Sequence, residues 1–293
     1  MGNELPAWLE KEYPFERHTL KTAEGHRLNY VDEGHGECIF MFHGNPTWSF
    51  YYRQLIFQLR ENFRCIALDN IGCGLSDKPQ HYSYCLNNHI ANASALMEKI
   101  QPTAFHIIVH DWGCPIGMAM AELYADRTQR IIITNGAAFL SKHIPWRIAL
   151  AKTTFPGTLF VKGLNLFAKA ATRLCVQNHL TETLCQAYLF PYNSWANRIA
   201  VDAFIKDIPM SKHHKSWQTL QMIEAQLPSL QKKKILIAWG MKDFCFTEKF
   251  LQQWQKIFSD ARIIPFANAG HYLLEDASDE LIEKIRKFLT EEH

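Results

Sequence analysis

Three residues able to move protons or attack carbon each follow a run of strand-forming residues. They are Asp111 in V-H-D-W-G-C-P-I-G, Asp243 in W-G-M-K-D-F, and His271 in N-A-G-H-Y-L-L-E-D. Asp111 stands where the strand-forming run gives way to a helix-forming one, a junction that exposes a nucleophile on a sharp turn. A carboxylate there attacks a saturated carbon, expels a leaving group and leaves an alkyl ester on Asp111. A water activated by His271 then attacks the ester carbonyl, while Asp243 holds the imidazole in its reactive tautomer. A serine would leave an ether, with no carbonyl for water to attack. Aspartate therefore selects alkylating substrates: halides, epoxides or strained lactones.

The stretch H-G-N-P-T-W, residues 43–48, supplies the next element. The backbone N–H after His-Gly and the one after the nucleophile, those of Asn45 and Trp112, are placed to hold an oxyanion. Their side chains are also donors, an amide and an indole. Two such donors beside a nucleophile suit a leaving group that departs as an anion. In the plainer alternative, Trp112 packs and Asn45 holds its loop. A second acid position exists in related sheets, after the strand before the insertion described below, but R-I-I-I-T-N-G-A-A-F carries neither Asp nor Glu. Asp243 is left as the acid, with Glu275 and Asp276 as helix-entry residues.

These residues need a scaffold, and the hydrophobic pattern describes one. Short β-rich runs (E-C-I-F-M-F, R-C-I-A-L, F-H-I-I-V, R-I-I-I-T) alternate with amphipathic stretches such as N-N-H-I-A-N-A-S-A-L-M-E-K-I. That alternation predicts βα units and a mostly parallel sheet flanked by helices, an α/β fold. From about Ala138 to Leu227 the strand signals stop, and they resume with K-I-L-I-A-W and A-R-I-I-P-F, each followed by a helical pattern. An all-helical cap, residues 138–227, inserted before the seventh strand of a core made from 1–137 and 228–293, is the simplest account. The cap segment R-I-A-L-A-K-T-T-F-P-G-T-L-F-V-K-G-L-N-L-F-A-K-A is apolar, but lysines and the Pro156-Gly157 break interrupt it short of the ~20 residues needed to span a bilayer. It reads as pocket lining, with peripheral membrane contact as the lesser alternative.

The chain has 293 residues, 47% hydrophobic and 20% charged, with a formal charge of +2. That balance gives no electrostatic reason to expect nucleic acid as a partner. Lys232, Lys233 and Lys234 read as a solvated strand entry. Gly2 raises N-myristoylation, but Pro6 sits where Ser or Thr is wanted, and the first residues, M-G-N-E-L-P-A-W-L-E-K-E, with early acidic residues and no uninterrupted apolar run, do not read as a secretory signal. The eight cysteines form no C-x-x-C pair and read as free thiols in a reducing, cytoplasmic setting. The fourteen histidines show no ligand spacing, so neither metal nor cofactor is expected.

Together, H-G-N-P-T-W, D-N-I-G-C-G-L-S-D-K-P, V-H-D-W-G, W-G-M-K-D and A-G-H-Y-L-L-E-D resemble the haloalkane dehalogenase family of α/β hydrolases over nearly the whole chain. The resemblance implies the α/β-hydrolase fold, Asp111 as nucleophile, His271 as base and Asp243 as acid. It also implies Asn45 with Trp112 as the halide-stabilising pair and a small apolar substrate. Gly72, Gly74, Ser76 and Pro79 then belong to a loop that shapes the sheet edge, its glycines suited to positive φ. The stretch P-Y-N-S-W-A-N-R-I-A-V-D-A-F-I-K-D-I-P and the acid loop look especially like the β-lactone decarboxylases of bacterial olefin synthesis, which share every catalytic position; partner enzymes are an expectation only on that reading. Halide hydrolysis and β-lactone opening to a cis-alkene and carbon dioxide are thus both carried forward. Epoxide hydrolases use cap tyrosines; here Asn197 replaces the expected one, although Tyr188 and Tyr192 lie nearby. Haloacid dehalogenases follow the nucleophile with an arginine, and this chain has Trp112. Arg198 is expected to pair with Asp202 at i+4. A non-catalytic relative would lack part of this set.

Overall fold

The computed structural model describes residues 5–291, so Gly2 and its acylation reading lie outside the described residues. Chain order begins with α1 (Ala7–Glu12), β1 (Arg17–Lys21), β2 (Arg27–Glu33) and β3 (Glu37–Phe42). It continues with α2 (Arg53–Leu59), β4 (Phe63–Leu68), α3 (Leu86–Ile100), β5 (Phe105–Asp111), α4 (Gly113–Leu123) and β6 (Thr128–Gly136). Between β6 and β7 (Lys234–Gly240) every described element is helical: α5 (Trp146–Lys152), α6 (Phe155–Thr158), a π-helical turn (Leu159–Gly163), α7 (Leu166–Leu174), α8 (Glu182–Leu189), α9 (Ile199–Lys206), α10 (Trp217–Gln226) and short 3-10 turns. After β7 come α11 (Glu248–Ile257), β8 (Arg262–Phe266), α12 (Leu273–Asp276) and α13 (Ser278–Thr290).

The eight strands form one sheet in the order β1-β2-β4-β3-β5-β6-β7-β8. The pairs β1/β2 and β2/β4 are antiparallel, and the others are parallel. This is the mostly parallel, helix-flanked sheet that the alternation predicts, in the α/β-hydrolase arrangement that the resemblance implies. Its central strands are buried on both faces, which is why they are near-continuous apolar runs such as C-I-F-M-F and I-I-I. Ile131 and Ile133 face one core with α3, α4 and α11, while Ile132 faces the other with α1, α2 and α13. In the parallel part all strand ends point the same way, so the loops after β3, β5, β6, β7 and β8 converge on one rim. Gly72 and Gly74, in the loop after β4, take φ of 90° and 49°, as the turn reading requires.

Candidate active site

Asp111 closes β5 with φ of 52°, in the left-handed region that a residue with a Cβ rarely adopts. The chain can turn that tightly because its neighbours are small. A Cβ on Gly113 would overlap the Phe42 carbonyl, and one on Gly44 would overlap the Asp111 carboxylate. The result is a buried carboxylate facing the strand-end rim with its two oxygens in different surroundings. Oδ1 accepts the Asn45 N–H at 2.7 Å, and the Trp112 backbone N–H also favours the ionised carboxylate. Oδ2 faces His271, whose Nε2 lies 3.7 Å away. Burial pushes the Asp111 carboxyl up from its ordinary range, opposed by His271 and by the two backbone N–H groups.

His271 follows β8 and reaches back over the sheet. Its Nδ1 donates to Asp243 Oδ2 at 2.8 Å, which leaves Nε2 toward Asp111. Burial works against the imidazolium, but Asp243 and then Asp111 outweigh it, and the pKa of His271 rises above its ordinary value. Asp243 is held from below: its Oδ1 accepts the N–H groups of Cys245 (2.6 Å) and Phe246 (3.0 Å). The Phe246 ring stacks on the imidazole at 5.6 Å. The three residues predicted from separate strand ends are therefore in one contact chain.

Sequence reasoning missed Asn135, at the end of β6. Its Nδ2 donates to Asp243 Oδ2 at 3.0 Å, and its Oδ1 accepts the Gly240 N–H at 2.8 Å. The available signal was the vacant second acid position, which Asn135 fills as a brace for the acid on the neighbouring strand. His110, under the site, was also missed. Its Nε2 meets the His271 carbonyl at 3.0 Å, and burial lowers its pKa, which keeps a second positive charge away from the imidazole.

The helical segment closes the rim. A cavity of about 500 Å³ lies between them, reached by Asp111, Trp112, Asn45 and His271 from below and by Ile148, Phe167 and Leu220 from above. Asn45 commits one amide N–H to the Val201 carbonyl of α9 at 3.1 Å. The Trp48 indole donates to Ala187 and the Tyr192 hydroxyl to Thr47, so the 43–48 loop is tied to the helices at three points. No tyrosine of the described residues lines the cavity: the Tyr188 hydroxyl goes to Glu275, and Asn197 binds Asn193. This removes the cap-tyrosine basis of the epoxide reading. Among the described residues no His/Cys/Asp/Glu group is arranged to hold a metal.

Two expectations are corrected. Arg198 does not pair with Asp202; it donates to the carbonyls of Lys162, Gly163 and Tyr192, and Asp202 pairs with Lys206 at 2.7 Å. Arg198 sits in a 3-10 turn before α9, so the i+4 geometry of a continuous helix is absent. Glu275 is more than a helix-entry residue, since it forms a buried bidentate ion pair with Arg53 and accepts from Tyr188. Asp276 accepts the N–H groups of Gln177, Asn178 and Gly270.

Fold and strand-end rim together define an enzyme of the hydrolase class, and residues 38–278 match the family model for the alpha/beta hydrolase fold. The chain belongs to that family. It is 41% identical over 97% of its length, and 91% of the relative's, to a cis-3-alkyl-4-alkyloxetan-2-one decarboxylase of Shewanella oneidensis. A protein of the same name from Xanthomonas campestris pv. campestris is 36% identical, covering 94% of this chain and 97% of that one. Haloalkane dehalogenase 2 of Mycobacterium tuberculosis is 29% identical, covering 93% and 94%. Among solved structures, haloalkane dehalogenase DbeA from Bradyrhizobium elkani has a TM-score of 0.85 at 20% identity, covering 94% of this chain and 97% of that one, a likeness of fold.

Proposed function

We propose that this chain uses Asp111 to open a cis-3,4-dialkyl oxetan-2-one and release a cis-alkene and carbon dioxide. The asymmetry of the Asp111 carboxylate carries the reaction type: Oδ1 is held by the Asn45 N–H, Oδ2 is left toward His271, and the residue lines the cavity. The full-length likeness at 41% to a decarboxylase, against 29% to a dehalogenase, supports the substrate class. Residues 138–227 act as the cap over a core of 1–137 and 228–293. The eight unpaired thiols suit a reducing, cytoplasmic setting.

Asp111 Oδ2 attacks the ring carbon bearing oxygen from the side opposite that oxygen. The carbon–oxygen bond breaks, its electron pair stays on the departing carboxylate, and the carbon inverts. The intermediate is an alkyl ester of Asp111 with a carboxylate on the adjacent carbon, and inversion has set these two groups anti. The carbon–carboxylate bond then breaks to release carbon dioxide and its electron pair becomes the new π bond. Asp111 departs with the electrons of its own ester bond. Inversion followed by anti loss converts a cis-lactone into a cis-alkene and consumes no water. Side-chain N–H groups of Asn45 and Trp112 stabilise the first departing carboxylate, and an imidazolium at His271 stabilises the second, Asp111 itself. Asp243 and Asn135 hold His271 for that task.

Hydrolysis of carbon–halogen bonds is the second reading, favoured by the indole and amide beside Asp111. It uses the same ester but needs neutral His271 to activate water. The deciding assay offers 1-bromohexane and a cis-dialkyl β-lactone to one preparation. Alkene and carbon dioxide with only trace bromide are the expected outcome, and rapid bromide release without alkene overturns the decarboxylase reading.

A further inference from the structure

The cavity opens through an unusual surface. Of thirteen large apolar side chains exposed among the described residues, seven lie between 146 and 174, and these include Phe155 at 79% and Trp146 at 71% exposure. Leu150, Leu166 and Leu174 are both exposed and part of the cavity lining, so the apolar surface runs continuously into the mouth of the site. Helices α5 and α6, the π-helical turn and α7 pack one on the next, which makes their outer side chains neighbours. Trp195 adjoins this surface, with Lys162 4.9 Å from its ring.

Charge on this surface has one sign. Residues 127–181 contain no Asp or Glu, while 138–181 contain Lys142, Arg147, Lys152, Lys162, Lys169 and Arg173. Of these, Lys142, Arg147, Lys169 and Arg173 are exposed. A second copy docked here would set like charges face to face, which disfavours self-association. An anionic lipid surface offers the opposite arrangement, with headgroups for the cations and an acyl boundary for the apolar side chains. No helix of the described residues is long and apolar enough to cross a membrane. The short helices would lie in the interface, with Trp146 and Trp195 at headgroup depth, where tryptophan is enriched.

We propose that the surface formed by residues 146–174 docks on an anionic lipid bilayer and turns the cavity mouth toward the acyl chains. An apolar substrate then enters from the lipid and an apolar product leaves into it, without crossing water. The purpose assigned to docking rests on the proposed apolar substrate. Docking itself is read without substrate, so each fails separately.

The test uses the full chain and vesicles of phosphatidylcholine, with or without about 30% phosphatidylglycerol. Sedimentation with the anionic vesicles is expected, falling as salt is added, together with a blue shift of tryptophan emission that is reduced in Trp146→Phe. Phe155 and Leu164 do not line the cavity. Phe155→Glu combined with Leu164→Glu is expected to lower vesicle binding at least about tenfold, because two inserting apolar side chains are replaced by like-charged repulsion. Unchanged thermal unfolding and short-chain turnover would show that the variant is folded, and Phe155→Ser with Leu164→Ser provides a second, uncharged reading. Three outcomes overturn the proposal: no binding to either vesicle, equal binding to both kinds, or a wild-type dimer that the double variant dissolves while vesicles bind neither protein.

Discussion

The two readings of Asp111 make opposite demands on His271, and pH separates them. Decarboxylation needs the imidazolium to receive Asp111 as it leaves, whereas halide hydrolysis needs the neutral ring to take a proton from water. Nε2 of His271 lies 3.7 Å from Asp111 Oδ2, the oxygen that carries the ester. At an effective dielectric constant of about 20, unit charges at that separation interact by roughly 4 kcal/mol. Part of this is lost to the N–H groups that already serve the carboxylate, so about 3 kcal/mol, or two decades in ester lifetime, is expected. In the free enzyme His271 carries its charge to a higher pH than an ordinary histidine because Asp243 and Asp111 outweigh its burial; in the ester Asp111 is neutral and Asp243 remains as the partner. The assay is rapid quench followed by intact-mass measurement at about two pH units on either side of the His271 midpoint. That midpoint is located independently from the imidazole proton shifts. With a dialkyl β-lactone, an adduct on the Asp111 peptide should accumulate on the alkaline side and vanish on the acid side. With 1-bromohexane the order should reverse. A lactone adduct that builds up only below the midpoint, or one attached to a different peptide, would refute the reasoning.

Three substitutions address other parts of the site. Trp112→Phe removes an indole donor while keeping the ring against Phe204. Ring opening should slow by about 1.5–3 kcal/mol, or one to two decades, with KM little changed, as single-turnover kinetics would reveal. Asn135→Ala strands the buried Gly240 N–H and deprives Asp243 of a donor. Unfolding free energy should fall by about 1–3 kcal/mol in denaturant titration, and an unchanged midpoint would mean that water replaces the amide. Glu275→Gln leaves the Arg53 guanidinium buried without its counter-charge, which should cost about 3–5 kcal/mol in the same titration.

Much of the site was legible because its chemistry lies at strand ends. Val109 and Ile131 belong to runs that can only be buried strands, and the residue after such a run in a parallel sheet must reach the rim. Asp111, Asp243 and His271 come together for that reason. The first two strands escaped notice because β1 is a half-exposed edge and its R-H-T-L-K has no apolar run to announce it. Asn135 escaped because an amide has no distinctive pattern of its own; its role depends on Asp243 lying on the adjacent strand. The Arg198 expectation failed at a 3-10 turn, where helical spacing does not apply. Glu275 meets a partner 222 positions away, a relation that no local spacing encodes.

The buried cluster of Arg53, Glu275 and Tyr188 constrains how this fold can diversify. It joins α2, α12 and α8, so one of its three members belongs to the helical segment and two belong to the sheet domain. Transplanting that whole segment from a relative would therefore fail to fit unless the donor carried a hydroxyl at the place of Tyr188. Residues 146–174 contribute no member to that cluster, and their large apolar side chains Trp146, Phe155 and Leu164 are exposed. Divergence toward new substrates is thus expected to be piecemeal, concentrated in the first helices after β6, while α8 stays tied to the ancestry of the sheet beneath it.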